Sequence, residues 1–452
     1  MRGFFFRPID IAGLVVFRIA FGVLMAWETL RYLALGWVKD HYVLPVLLLK
    51  YLGFWWLETP QSPVIYGVFA IMAASGLGIA LGAHYRLSVA AFLLTHSYAF
   101  LLAGELYLNH GYLLSLVALL LLFMPAHRAL SVDARRDPAL YANTIERWPV
   151  LLLAGLLAVV YAYGGIAKLN GDWLAGEPIR HWLADAAKDL PALTAVLTSE
   201  ACVGVIVYGG LAFDLGIVPL LVVRRTRALA VALSCAFHLT NALIFHIGVF
   251  PWFMLAATTL FFSPSWPRRA PLIGKDLDRV LAAPRTARTT GMSRLALAAF
   301  ASLFALVQLL VPLRHWLYPG DVAWTEEGHF FSWRMKLRDK RGRVTFRVVA
   351  RDGGASSRFD PASELTRDQL AKLLTKPDFI LYYAHVLRDR YRRAHGHDVS
   401  VYADAFASLN YRPEQRMLKP SVDLASVAPS LAPSDWILPL VSGPYDASPT
   451  PR

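Results

Sequence analysis

Only two cysteines, Cys202 and Cys235, occur among the 452 residues, and both fall inside apolar runs. Neither a disulfide framework nor a thiolate metal site can therefore organise the chain. Charge is scarce as well: 17% of residues are Asp, Glu, Lys or Arg, against 56% hydrophobic ones. A soluble domain of this size carries about a quarter charged residues. Acid is the scarcer sign, which leaves a formal net charge of +13. Such a surplus suits nucleic acid, but the basic residues are not gathered among stacking aromatics in one polar module, so no nucleic-acid partner is expected. Missing too are a Ser-His-Asp order, a phosphate-cradling glycine loop, a dinucleotide fingerprint and a Cys-x-x-Cys pair. Hydrolase, ATPase and thiol-redox chemistry are left without support.

What the chain has in quantity is long apolar stretches. About nine are candidate membrane spans: Ile11–Trp37, Val64–Ala83, Leu87–Ala103, Tyr112–Met124, Trp148–Ala167, Val203–Val223, Ala228–Phe245, Val249–Phe262 and Leu295–Leu313. The fourth and eighth are short. No small-residue cleavage pattern follows Phe4–Trp27, so it reads as a first span and not as a removed leader. Basic residues such as Arg7, Arg86, Arg128, Arg147, Arg224 and Arg268 fall in segments on one side, while only Lys39, Lys50, Arg180 and Lys188 fall in the loops on the other. This asymmetry puts the N-terminus in the cytoplasm and the C-terminal tail outside.

The tail changes character. Phe330–Arg338 and Arg343–Ala350 alternate like two strands joined at Asp339–Gly342; Arg367–Leu374 and Pro377–Ala394 read as helices, and Val399–Leu409 as a strand. Val427–Arg452, rich in Pro, Ser and Ala, reads as irregular. The expected fold is a polytopic α-helical membrane protein, residues 1–317, followed by a β-rich α+β extramembrane domain, residues 318–452.

Leu151–Trp182 is the stretch with the most chemical content. A charge-free run of bilayer-spanning length ends in one amine, Lys168, followed by Asn170, Asp172 and Trp173. An ammonium there must pair, reach the interface or lose its proton. Two readings stay open: a snorkelling or ion-paired lysine, with Asp172 as the local partner, and a tuned base beside a membrane pocket. The topology favours the second, because Asn109, His110, His238, Asn241 and His246 come from separate spans to the same face. Asp214, inside the sixth span, needs a buried partner such as Lys168 or an arginine. Gly164 and Gly165 allow close approach of a helix or a flat ring. His238, Asn241 and His246 match no helical zinc spacing, so no metal is expected. Arg180 and His181 are candidates to hold a carboxylate.

Several of these stretches together resemble one family. Tyr163-Gly-Gly-Ile-Ala-Lys-Leu-Asn-Gly-Asp-Trp173 resembles the lysine segment of the vitamin K-dependent gamma-glutamyl carboxylases, and Asn109-His-Gly-Tyr-Leu113 their Asn-His segment. Arg180–Leu183, Gly209–Leu215, Phe237–Asn241, Phe245–Phe250, Ser263–Arg268, Trp324-Thr325, Ser332-Trp333 and Gln415-Arg416 follow in order, so the resemblance covers nearly the whole chain. It implies an HTTM-type membrane domain that uses vitamin K hydroquinone or a menaquinol with O2 and CO2 and no metal, and the Arg- and Ala-rich composition fits a bacterial homologue in the inner membrane. Lys168 would take a quinol proton, with His110 and Asn109 as catalytic neighbours. Tyr163, Gly164, Trp173, His238, Asn241 and Phe245 would bind the quinol, and Arg180 and His181 a glutamate-containing peptide. Epoxidation of the quinol, alone or coupled to glutamate carboxylation, is the implied activity. The alternative is a non-catalytic receptor or scaffold that binds a peptide or lipid through its outer domain. The family's paired lysine is here Ala167, its Asp-Lys pair is Ala103-Gly104, and its disulfide has no counterpart. The chain also stops soon after Trp436, which would remove part of the family's substrate-recruiting region.

Overall fold

The structure, a computed structural model, describes residues 2–245, 247–271, 274–281, 293–351, 356–441 and 443. Apolar helices dominate the first two thirds: α1 (Ala12–Ala34), α2 (Ser62–Leu81), α3 (Tyr85–Leu102), α4 (Asn109–Phe123) and α5 (Trp148–Lys168). The amphipathic α6 (Ile179–Asp189) precedes α7 (Glu200–Val222), α8 (Arg227–Phe245), α9 (Phe250–Thr258) and α10 (Arg294–Leu310). Among the described residues six helices are long and apolar enough to cross a bilayer: α1, α2, α3, α5, α7, and α10 with its continuation to Leu317. Asn109–Phe123, Arg227–Leu243 and Phe250–Phe261 are apolar but shorter. The protein is thus a polytopic membrane protein, and the expected seventh span joins the fourth and eighth in the short group.

Local chemistry sets the helix ends. Proline stands in the first turn of α2 and α5, where its missing N–H costs nothing. Ser199 caps α7 by accepting from Cys202 N, and Gly82 stops α2 in the left-handed region at φ 61°. The closest helix pair is α1 on α2. A Cβ at Gly22 would sit 2.3 Å from Ala80 N, and one at Gly76 2.7 Å from Ala26 N, so the two backbones touch where no side chain fits. Phe17, Phe21, Phe92 and Phe253 interlock around this crossing. Arg18 is fully buried in α1 and donates to the Ala80, Ala126 and Leu130 carbonyls, tying the end of α2 to the loop after α4, with no ion pair to a carboxylate among the described residues.

The extramembrane part has a sheet of order β4-β3-β5-β6, all antiparallel, formed by β3 (Lys340–Ala350), β4 (Ser356–Phe359), β5 (Val399–Leu409) and β6 (Gln415–Arg416). A small ribbon, β1 (Pro8–Asp10) on β2 (Thr144–Glu146), lies elsewhere in the chain. Val344, Phe346 and Val348 alternate with exposed residues, and this face meets Phe379, Tyr383 and Leu387 of α12 (Pro377–His395) in a second core. Helix α11 (Arg367–Leu373) starts with a Thr366/Gln369 capping box. Helices and the 399–409 strand follow the sequence reading. Phe330–Arg338 does not form the strand expected of it. Phe331, Trp333 and Lys336 hold φ of 60°, 57° and 49°, a backbone region closed to strands and rare for bulky side chains. The segment instead wedges into the membrane part, where Trp333 is completely buried and stacks on Tyr112 at 5.0 Å.

Candidate functional site

Lys168 is the last residue of α5. The chain then doubles back: Asn170 accepts from Trp173 N at 3.0 Å, starting a short turn of helix that lays the Trp173 ring 5.3 Å from the Lys168 amine. From the facing α7, Asp214 forms an ion pair with Lys168, and the amine also reaches Gly164 O at 3.4 Å. Both charged side chains are buried. Glycines make the room: a Cβ at Gly164 would stand 3.1 Å from Asp214 Oδ2, and one at Gly210 4.0 Å from Lys168 Cε. Two ions held this far from water are stable only as a pair, since desolvation of either alone costs several kcal/mol.

The pair forms one wall of a cavity of about 110 Å³, with Tyr161, Trp173, Phe237, His238 and Asn241 among its other walls. One water takes about 10–15 Å³ on such a measure, so this is a chamber and not a packing defect. Tyr161 Oη lies 2.9 Å from His238 Nε2, while His238 Nδ1 is buried with no partner among the described residues.

The remaining expected site residues divide. His110 lines a different cavity, with His96, Tyr42 and Phe69, and the Phe250 ring stacks on it at 5.6 Å. The same ring meets His238 edge-on at 6.2 Å and lines the Lys168 chamber. The two histidines thus both contact Phe250 but line different cavities. Asn109 accepts from Tyr107 Oη at 2.9 Å and donates to Arg334 O at 3.1 Å, a tie to the extramembrane wedge. Tyr163 turns away from Lys168 and donates to Leu309 O at 2.5 Å. Arg180 is occupied by Glu177 and by both oxygens of Glu200, at 2.9 Å each. His181 stacks on Tyr411 at 3.5 Å. Asp172, the expected local partner of Lys168, instead receives Arg412 through two bonds of 2.7 and 2.6 Å and Asn410 at 2.6 Å. His246 and the side chain of Phe245 lie outside the described residues.

Comparison with known families adds the decisive finding. The HTTM domain model matches residues 6–266, and the model of the vitamin K-dependent gamma-carboxylase lumenal domain matches residues 293–443. The chain belongs to the vitamin K-dependent gamma-carboxylase family. No solved structure matches it. Within the family member, sequence reasoning missed Trp182, Phe250, Met335 and Lys336, all of which wall the Lys168 chamber. Trp182 sits beside the predicted Arg180-His181, so its neighbourhood was visible. Met335 and Lys336 carried no local signal, because they arrive from the extramembrane wedge more than 150 residues away.

Proposed function

We propose that the protein is a quinol-dependent membrane monooxygenase of the carboxylase type, in which Lys168 accepts the hydroxyl proton of a prenylated quinol, vitamin K hydroquinone or a menaquinol. One observation carries this reading: a buried amine–carboxylate pair and His238, whose Nδ1 has no partner among the described residues, line the same apolar chamber. Those groups suit a flat aromatic diol, with Lys168 at one hydroxyl, His238 available for a hydrogen bond, and Trp173 and Phe237 along the ring faces. When bound, the quinol supplies the electrons for O2 and, following the family resemblance, the base that prepares a peptide glutamate for CO2.

The chain's own residues have three tasks in this scheme. Lys168 must offer an uncharged nitrogen, so in this scheme the ammonium of the resting ion pair first passes its proton to Asp214, a transfer within the pair that leaves its net charge unchanged. Once Lys168 takes the quinol proton, its ammonium is stabilised by the Trp173 ring face. Trp182, Met335 and the aromatic walls keep water from a reactive anion. Asn241 and Gly164 belong to the quinol site in this proposal. His110 and Asn109 act only if Phe250 swings aside, and His181 contributes to peptide binding beside Tyr411. The proposed division is a membrane domain at residues 1–317 and an extramembrane domain at 318–452, in a bacterial inner membrane with a cytoplasmic N-terminus, as the loop charges suggest.

The test is formation of quinone epoxide by the purified protein given reduced vitamin K and O2, with and without a glutamate-containing peptide and CO2. Turnover that vanishes in Lys168→Met supports the reading; equal turnover removes Lys168 from it. A second reading, a non-catalytic binding protein, draws on the Asp214 clamp and on the separation of His110 from Lys168. Tight quinol or peptide binding with no product at all selects it.

A further inference from the structure

A larger groove, of about 520 Å³, lies on the other flank of α5. Tyr163, Ile166 and Leu169 form one wall, and Leu313, His315 and Trp316 at the end of the α10 span form another. Its floor is reached from the extramembrane wedge by Arg334. This guanidinium is only partly exposed and makes no ion pair among the described residues. Asp321, the one carboxylate among the described residues that line the groove, caps a helical turn through one oxygen, which accepts from Ala323 N at 2.8 Å. Burial and then the neighbouring Arg338 lower the Arg334 pKa to about 10 against the weaker opposing pull of Asp321 and Glu326, so it remains a cation at neutral pH, and neither carboxylate forms an ion pair with it among the described residues.

The rim of the groove is of another kind. Ile166, Leu169 and Trp316 are 42%, 56% and 67% exposed, and Leu317 next to them is 80% exposed. Tyr163, Trp316 and Tyr318 make an aromatic fringe at the ends of two spans, which is the composition found where a bilayer meets water. An acidic peptide would match the cation but would leave this apolar rim in water. A phosphate joined to acyl chains matches both.

We propose that this groove is a binding site for a phospholipid, with the headgroup phosphate on Arg334 and the acyl chains descending past Ile166, Leu169 and Trp316. The guanidinium supplies two parallel N–H donors to the phosphate oxygens. Because the groove adjoins Ala167, a lipid seated there props the helix end that presents Lys168 from behind, while taking no part in its chemistry.

The test uses the full chain, purified in detergent, washed free of lipid and titrated with palmitoyl-oleoyl phosphatidylglycerol, with retained lipid counted by native mass spectrometry. Wild type should keep one lipid. Arg334→Gln should weaken it about fivefold, the effect of one arginine at a membrane surface. Arg334→Lys should fall between, and Arg224→Gln in a distant basic segment should match wild type. If Arg334→Gln does not fold, Leu169→Glu sets a carboxylate on the exposed rim and should produce the same loss. Unchanged retention in either variant overturns the proposal. So does displacement of the lipid by glycerol phosphate, which means a soluble phosphate site, or by an oligoglutamate peptide, which means a peptide site. The readout is binding alone, so it stands whether or not the quinol chemistry is found.

Discussion

Lys168 and Asp214 should behave as one unit when they are removed singly and together. Asp214→Leu leaves a buried ammonium whose remaining neighbours are Gly164 O and the Trp173 face. Lys168→Met leaves a carboxylate among apolar walls. Breaking a buried pair from one side costs about 3–5 kcal/mol, whereas replacing both ions by apolar side chains of similar volume is about neutral. The singles therefore sum to about 6–10 kcal/mol, and Lys168→Met/Asp214→Leu should cost about 1 kcal/mol or less. Even the lower figure for one single, about 3 kcal/mol, is more than a hundredfold in the unfolding equilibrium, well within reach of denaturant titration in mixed micelles. Quinol oxidation should be absent in all three variants, stability being recovered in the double and chemistry not. A double variant as unstable as the sum of the singles would mean that the two ions are not held together in the folded protein. A double variant that still turns over quinol would show that neither ion is the base.

Three further outcomes follow from other contacts. Glu105 accepts from Leu49 N at 3.1 Å and from Gln369 Nε2 at 2.7 Å, and burial raises its pKa to about 7. It is protonated in the folded state where the unfolded chain is ionised, so stability should fall as pH rises from about 4.5 to 7, by about 3 kcal/mol, and level off above that; Glu105→Gln should flatten this slope in pH-resolved unfolding. Gly22→Ala places a methyl 2.3 Å from the Ala80 backbone, which cannot yield as a side chain can; a loss of about 1–3 kcal/mol in denaturant unfolding is expected, and an unchanged midpoint would contradict the close crossing of α1 and α2. Asp172→Asn leaves Arg412 facing an uncharged partner at 11% exposure. About 2–3 kcal/mol of docking should be lost, and limited proteolysis should then cut the extramembrane segment faster while the spans stay intact.

How far the sequence reaches can be judged from single residues. The helices announce themselves through unbroken apolar runs, because a bilayer demands internal backbone bonding and fixes the length needed. The strand Val399–Leu409 is read correctly for a similar reason, as its period-two burial is already present in its residue types. Lys168 and Asp214 stand out by being ionisable where ionisable groups are rare, and that alone nominates them for the site. Sequence cannot choose between Asp214 and Asp172 as the lysine's partner. The choice is made when α7 packs on α5 and when Arg412, arriving from the turn between β5 and β6, takes Asp172 away. Tertiary structure also decides that His110 stacks on the Phe250 ring while His238 meets the same ring edge-on, so the two histidines line different cavities. The alternation over Phe330–Arg338 suggests a strand, yet three bulky residues there turn left-handed because Trp333 gains more by burial against Tyr112 than the backbone loses in strain. Composition and periodicity thus determine which segments enter the membrane and which residues are chemically conspicuous. Which of those residues meet depends on long-range packing, since contacts between distant segments have no local sequence period to reveal them.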